Sequence, residues 1–347
     1  MAAQVEFVSP RAPACGRLLE ALSTALDEPL RARLREAWAG RRFGAWYERP
    51  LLLLASVRDD ALREGPGHPL WQAIQVADPD PEAATDAAVA AALAPDRRHL
   101  WSSVAGRSLQ TNDPTRAIAW ILPAAIAAAA DPDRPLGLFE IGCSGGLNLV
   151  ADRLPMEWTR SDGAALRLEP LPPVERRAGF DLRPVDVLDE DGARWLRASV
   201  WPGQRERGRR LEAAIDAFRA LADRGAAPTI ERLTAADIPA RLPRLDASSP
   251  RAIAFQSIVR DYLPEEGRRR YEEGMRRWLG ACPPGAAVWA ELEVTETARE
   301  GGPPVELVAH TSDGDEIATW PLAHSDPHPT EITVVDDACA ALRAALG

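Results

Sequence analysis

The sequence predicts an α/β fold: a parallel sheet whose strands alternate with helices, an antiparallel hairpin near the C-terminal end, and an α-helical region in front. Three observations predict it. Residues 1–115 place leucines at helical spacing and show no strand alternation. From residue 135 short apolar runs alternate with helical segments, as parallel sheets require. The first of those runs breaks at a glycine-rich turn, Gly142-Cys143-Ser144-Gly145-Gly146, and restarts in a helical pattern at Leu147.

The helical region is expected to fill residues 1–115. Leu18, Leu19, Leu22, Leu26, Leu30 and Leu34 recur at threes and fours, which predicts one amphipathic helix over Arg17–Leu34. Tyr47–Val57 holds Leu51-Leu52-Leu53-Leu54 and reads as a buried helix. Gly65-Pro66-Gly67-His68-Pro69 and Asp78-Pro79-Asp80-Pro81 are loops, and a short helix follows over Pro95–Val104. Arg107-Ser108-Leu109-Gln110-Thr111-Asn112-Asp113-Pro114 then leads into a capped helix start with proline at the first helical position. Capping accounts for Asn112 or Asp113. It does not account for Arg107 and Gln110, so Arg107, Gln110 and Asn112 are candidate ligand-pocket residues.

The sheet domain is expected over 116–347. Its strands are predicted at Leu136–Ile141, Arg176–Leu182, Thr229–Leu233, Ala252–Ile258 and Ala287–Val294. A helix is expected from the glycine turn through Arg153. Residues 155–174 read as an irregular, proline-rich insertion with a short strand at Ala165–Leu168. Helices are expected at Asp191–Ser199, Glu206–Arg224 and Glu265–Leu279. Val305–His310 and Glu316–Pro321 flank Asp313-Gly314, a hairpin turn signal, and Thr330–Val335 adds a further strand.

Composition narrows the function classes. The 347 residues carry a net charge of −11 and no lysine, so bulk nucleic-acid binding is disfavoured. The arginines at 205–210 read as a solvated helix face. Cys15, Cys143, Cys282 and Cys339 form no Cys-x-x-Cys pair, which fits a reducing cytoplasm and no zinc knot. No signal pattern or membrane-length apolar run is present, so a cytoplasmic location and no membrane partner are expected. His324 and His328 are separated by prolines and lack the helical two-histidine geometry of a metal site, so no metal is expected. The tryptophans read as packing residues; Trp46 or Trp71 is a minor candidate for stacking on an aromatic acceptor.

The glycine turn has two chemical readings. In the first it cradles an adenosyl ligand. Glu140 precedes the turn, Gly142 and Gly146 punctuate it, and Ser144 and Asn148 lie within reach of the same ligand. Asp181 closes the next strand, where a carboxylate accepts hydrogen bonds from two ribose hydroxyls. The spacing is not Gly-x-Gly-x-x-Gly, and a carboxylate before the turn suits a sulfonium better than a pyrophosphate, so S-adenosyl-L-methionine is favoured over a dinucleotide. In the second reading Ser144 is the nucleophile of a Gly-x-Ser-x-Gly elbow, with Asp261 or Asp313 and His324 or His328 completing a serine hydrolase. The helical region upstream, where such a fold has strands, weighs against it.

These motifs resemble a bacterial family designated domain of unknown function 2332. The resemblance spans nearly the whole chain. It rests on Arg-Ser-Leu-Gln-Thr-Asn at 107–112, Phe-Glu-Ile-Gly-Cys-Ser-Gly-Gly-Leu-Asn-Leu at 139–149 and Gly-Phe-Asp-Leu-Arg-Pro-Val-Asp-Val at 179–187. It also rests on Ala-Arg-Trp-Leu-Arg-Ala-Ser-Val-Trp-Pro at 193–202 and Ser-Asp-Pro-His at 325–328. The resemblance implies a Rossmann-like class I methyltransferase sheet with a helical extension that covers the ligand. It also implies an acidic residue after strand three for adenine, where this chain has Leu233 and then Asp237. A histidine common after strand four is Gln256 here, which removes one candidate base.

Together these readings give an S-adenosylmethionine-dependent methyltransferase acting on a small-molecule acceptor. Gln256, Arg260, Asp261 and Tyr262 are the acceptor-side candidates: Asp261 as base or orienter, Arg260 as the holder of an acidic acceptor. A methyltransferase-fold binding module without transfer activity is the alternative suggested by Leu233 and Gln256. Oligomeric state is not legible.

Overall fold

The computed structural model describes residues 2–168, 170–295 and 304–347. The chain divides into two compact units, one of residues 1–111 with 185–212, the other of 112–184 with 213–347.

The first unit is helical. It contains α1 (Ala2–Val8), α2 (Pro13–Thr24), α3 (Glu28–Ala37), α4 (Glu48–Glu64), α5 (Asp86–Ala92) and α6 (Arg98–Gly106). The single helix expected over Arg17–Leu34 is two. Asp27 accepts the Leu30 amide at 2.9 Å and, with Pro29 in the first turn, starts α3 afresh. Leucines of α2 and α4 form the core with Leu100 and Val104 of α6. Helix α4 is buried on every side from Pro50 to Ala61, so its polar residues must find partners inside.

Those partners explain why 185–212, expected in the sheet domain, belongs to the helical unit. Its helix, numbered α8 below (Glu190–Ala198), ends on the fully buried Arg58 of α4. The Arg58 guanidinium donates to the Arg197 carbonyl at 2.9 Å, to the Ala198 carbonyl at 2.6 Å, and to the Val200 carbonyl. It thus satisfies carbonyls that the helix end leaves open. Buried Asp59 accepts from Arg194 at 2.8 Å and from Ser103 at 2.8 Å.

The second unit is a mixed ten-stranded sheet with helices. Its strands are β1 (Leu136–Ile141), β2 (Trp158–Arg160), β3 (Ala165–Leu166), β4 (Val174–Asp181), β5 (Thr229–Arg232), β6 (Arg251–Ser257), β7 (Ala287–Val294), β8 (Val305–Ser312), β9 (Ile317–Ser325) and β10 (Glu331–Val334). The spatial order is β3-β2-β10-β9-β8-β7-β6-β1-β4-β5. The run β5-β4-β1-β6-β7 is parallel, and β8, β9 and β10 continue it antiparallel. The segment 155–174, expected to be irregular apart from a short strand at Ala165–Leu168, contributes that strand as β3 and, beyond expectation, β2; the two close the far edge against β10. Residue 169 lies outside the described residues.

Three helices carry the faces of this sheet. Helix α7 (Ile118–Ala130) packs with the C-terminal α11 (Asp336–Leu346) over Leu138, Phe255, Ala290 and Leu292. Helix α10 (Glu265–Gly280) covers Phe139, Ile141, Ala254 and Trp289 on the other face. Successive strand residues alternate between these two cores, as a sheet buried on both sides requires. Helix α9 (Arg205–Ala222) spans the division between the units. Among the described residues, no helix is long and apolar enough to cross a membrane.

Candidate functional site

Within the parallel run β4 and β5 lie on one side of β1 and β6 and β7 on the other, while β2 and β3, which follow β1 in the chain, lie at the far edge. The strand order of the parallel run thus reverses beside β1, the kind of switch point beyond whose strand ends α/β sheets bind ligands. Two polar clusters sit at this edge, one on each face of the sheet.

The first is built on the glycine turn. Gly142 (φ +70°), Ser144 (φ +53°) and Gly146 (φ +71°) all take left-handed backbone. A Cβ on Gly142 would lie 2.6 Å from Val259 Cγ2, so the loops after β1 and β6 touch there. The turn is held from within. The Gly142 and Cys143 amides donate to the Phe180 carbonyl at 2.8 and 3.1 Å. The Gly146 amide donates to the Cys143 carbonyl at 2.7 Å. The Ser144 amide donates to Asp181 Oδ2 at 2.8 Å, and the Arg183 amide to Oδ1 at 2.7 Å. The amides of residues 142, 143, 144 and 146 are thus already bonded, which makes the turn a poor cradle for phosphate.

The helix expected after the turn is a 3-10 segment, Leu147–Arg153. The Trp120 indole N–H takes the Asn148 carbonyl at 2.8 Å, an acceptor that an α-helix would need, and Pro155 follows closely. This geometry points the Asn148 side chain at Glu140, with Nδ2 donating to Oε1 at 2.7 Å. Glu140 is 3% exposed. Burial pushes its carboxyl up to about 8, the Asn148 bond works against that, and the nearby Asp181 charge adds to it.

Among the described residues, Glu140 Oε2, Asn148 Oδ1 and Ser144 Oγ are buried without a hydrogen-bond partner, as are both side-chain polar atoms of Asn112. Buried polar atoms this poorly satisfied mark a place where a ligand or water belongs. Cys143 is buried, and burial raises its thiol well above the ordinary range, so it is no ready nucleophile.

The second cluster lies on the α10 face. Gln256 is fully buried at the end of β6. Its Nε2 donates to Glu293 Oε1 at 2.6 Å, while its Oε1 accepts from the Tyr271 hydroxyl and from Trp289 Nε1 at 3.4 Å. Glu293 also accepts the Val259 amide at 3.0 Å and the Arg260 amide at 3.3 Å. Burial raises Glu293 to about 7, with the Val259 and Gln256 bonds opposing. Arg260 Nη2 donates to Glu291 Oε1 at 2.6 Å, and His310 Nε2 lies 3.0 Å from the same oxygen. His310 Nδ1 sits 2.8 Å from Thr319 Oγ1 and its ring stacks on Trp289.

The structure therefore gathers Glu140, Gly142, Ser144, Gly146, Asn148 and Asp181 around one turn. It brings Gln256 and Arg260 into a second network. Asp261 and Tyr262, beside them in sequence, are exposed. Asp237 is an exposed residue of a 3-10 turn, bonded to the Thr234 hydroxyl at 2.5 Å. Arg107 and Gln110 belong to the helical unit, where Arg107 pairs with Asp191 and stacks over Trp195. His328 pairs with Asp113 at 2.8 Å, and His324 lies 3.7 Å from Glu306. Sequence reasoning missed Glu291, Glu293, Tyr271 and His310. The available signal was Glu291-Leu292-Glu293: two acids at strand period inside an apolar run.

In the helical unit, Asp60, Glu64 and His68 bring ligand-type atoms within 4.8 Å of one another. Arg97 bonds both carboxylates, and His68 Nδ1 accepts the Leu70 amide at 3.1 Å. The neutral ring then carries its proton on Nε2, so the group is an ion-pair network rather than a cation site.

The fold is that of an α/β protein with a large mixed sheet, and its two polar clusters lie at the ends of β1, β6 and β7. The chain belongs to the family of uncharacterised proteins conserved in bacteria designated DUF2332, which it matches over residues 3–333. No curated protein and no solved structure matches it.

Proposed function

We propose that the protein is an S-adenosylmethionine-dependent methyltransferase acting on a small molecule, with a Rossmann-like sheet as its frame. One observation carries this reading: the buried, incompletely bonded Glu140–Asn148–Ser144 cluster beside Asp181 at the switch point. The residues fit the ligand. Each Asp181 oxygen uses one acceptor site on a backbone amide and keeps another for a ribose hydroxyl. Glu140 offers a buried carboxylate to a cationic group, which would draw out its ionised form. Turn amides spent inside the protein suit a ligand without phosphate.

The bound nucleoside would supply the methyl group on a sulfonium. The chain's part is to hold donor and acceptor in line and keep water out. The segment Gln256–Tyr262, at the end of β6, is the acceptor side. Isothermal titration with S-adenosylmethionine and S-adenosylhomocysteine tests the reading. Absence of binding by either at millimolar concentration, in folded protein, overturns it. Binding without turnover across an acceptor panel would support a binding module instead.

One observation favours a second reading. The positive φ of Ser144 is the strained backbone of a nucleophile elbow. Against it, Ser144 Oγ has no hydrogen-bond partner among the described residues, and so no base. Labelling of Ser144 by a fluorophosphonate would establish the hydrolase.

A further inference from the structure

We propose that Glu291, bonded by Arg260 and flanked by the charge of Glu293, offers a subsite for a protonated amine, the polar head of the acceptor. The acceptor role rests on the methyltransferase reading; the binding of an amine does not.

Glu291 and Glu293 alternate along β7 and so share the α10 face. Both are nearly inaccessible. Glu291 Oε1 takes the Arg260 guanidinium and faces His310, yet Oε2 is buried with no partner among the described residues. A buried carboxylate oxygen left open calls for an N–H donor. A second carboxylate two residues on makes the place hostile to an anion and favourable to a cation. Among the described residues, Glu291, Glu293 and His310 do not bring three ligating atoms within 4.8 Å of one another, so a hydrogen-bonding cation suits the pair better than a metal ion. Arg260 already shows the preferred chemistry: its side chain, 31% exposed, pairs with a Glu291 side chain that is 3% exposed. Exposed Tyr262, in the turn after β6, and exposed Val294, the last residue of β7, offer apolar surface for the body of an alkylamine.

The test is calorimetric titration of the full chain with n-hexylammonium, n-hexanoate and n-hexanol, with and without S-adenosylmethionine. Hexylammonium is expected to bind saturably, and the other two not at all. Glu291→Gln should weaken it at least ~30-fold. Should that variant fail to fold, Arg260→Ala carries the test, because it removes a half-exposed competitor for Glu291. It should tighten hexylammonium several-fold, whereas a merely structural Arg260 would leave binding unchanged or worse. Hexylammonium binding no better than hexanol, or an Arg260→Ala variant that stays folded without a gain, overturns the subsite. Hexylammonium binding in protein that ignores S-adenosylmethionine upholds the subsite and sinks the methyltransferase reading. The reverse pattern does the opposite.

Discussion

Glu140 and Glu293 are buried glutamates at the same edge of one sheet, and burial raises both carboxyls, to about 8 and about 7. They face opposite cores. Glu140 lies in register with Phe255 on the α7 face, and Glu293 alternates with Leu292 onto the α10 face. Their company differs more than their burial does. Glu293 receives a side-chain amide and two backbone amides, and so braces the loop after β6. Glu140 receives one side-chain amide and keeps an oxygen bare. A buried acid with its bonds made holds structure together. One with bonds unmade is a site awaiting a partner.

The largest expected effect breaks the ligand face. Asp181→Ala removes the bond that holds the Ser144 amide of the glycine turn and the bond to the Arg183 amide after β4, together with the proposed ribose acceptor. Nucleoside binding should fall ~100-fold or more, as expected for two charge-assisted bonds. Calorimetry on folded variant checks it. Unchanged affinity would remove the Glu140 face from ligand binding.

The next effect separates the two acids by pH. Each carboxyl lies above its ordinary value of 4.5, so each contributes stability that is present below pH 4.5 and lost as pH rises. The loss is complete near pH 7 for Glu293 and near pH 8 for Glu140. Denaturant melts from pH 5 to 9 should show Glu140→Gln recovering about 2–4 kcal/mol at the alkaline end. A cationic ligand at Glu140 should also expel its proton. At pH 7 the enthalpy of S-adenosylmethionine binding should then depend on buffer ionisation heat, and that of S-adenosylhomocysteine, which lacks the sulfonium, less so.

Gly142→Ala tests the point where the two faces meet. Its φ of +70° and the 2.6 Å approach to Val259 Cγ2 leave no room for a methyl group. A loss of about 2 kcal/mol is expected, from left-handed strain and overpacking. The amide that Val259 gives Glu293 should become less protected with it.

Much of the sheet was legible because buried parallel strands are short apolar runs between turn signals. β1 and β7 coincide with their predicted bounds, and β4, β5 and β6 fall within two residues of theirs. The turn cluster was legible for a related reason: Glu140 and the glycines break an apolar run, which only chemistry or a bend explains. What escaped depended on distant partners. Nothing near 185–212 announces that Arg58 will cap its helix from more than a hundred residues away. The 3-10 form after the turn goes with the Trp120 bond to Asn148, and β2 exists because β10 offers an edge. Asp261 is the acid next to β6 in sequence, and it is exposed. The acids that the fold buries there come from β7, which lies beside β6 in space but not in sequence.

Glu293→Gln gives the smallest change in stability and the sharpest test of its role as a brace. The substitution removes a buried ionisable group, which favours the fold above pH 7. It also replaces a carboxylate by an amide, which weakens the bonds from Gln256, Val259 and Arg260. These terms oppose, so the net change at pH 7 should stay within about 1 kcal/mol. The loop should nevertheless loosen. Hydrogen exchange at Val259 and Arg260 should quicken, while the turn amide of Ser144, held by Asp181 on the other side of the crevice, keeps its protection. Equal quickening at all three amides would mean that the two clusters open as one unit, and the division into a brace and a vacant site would fail.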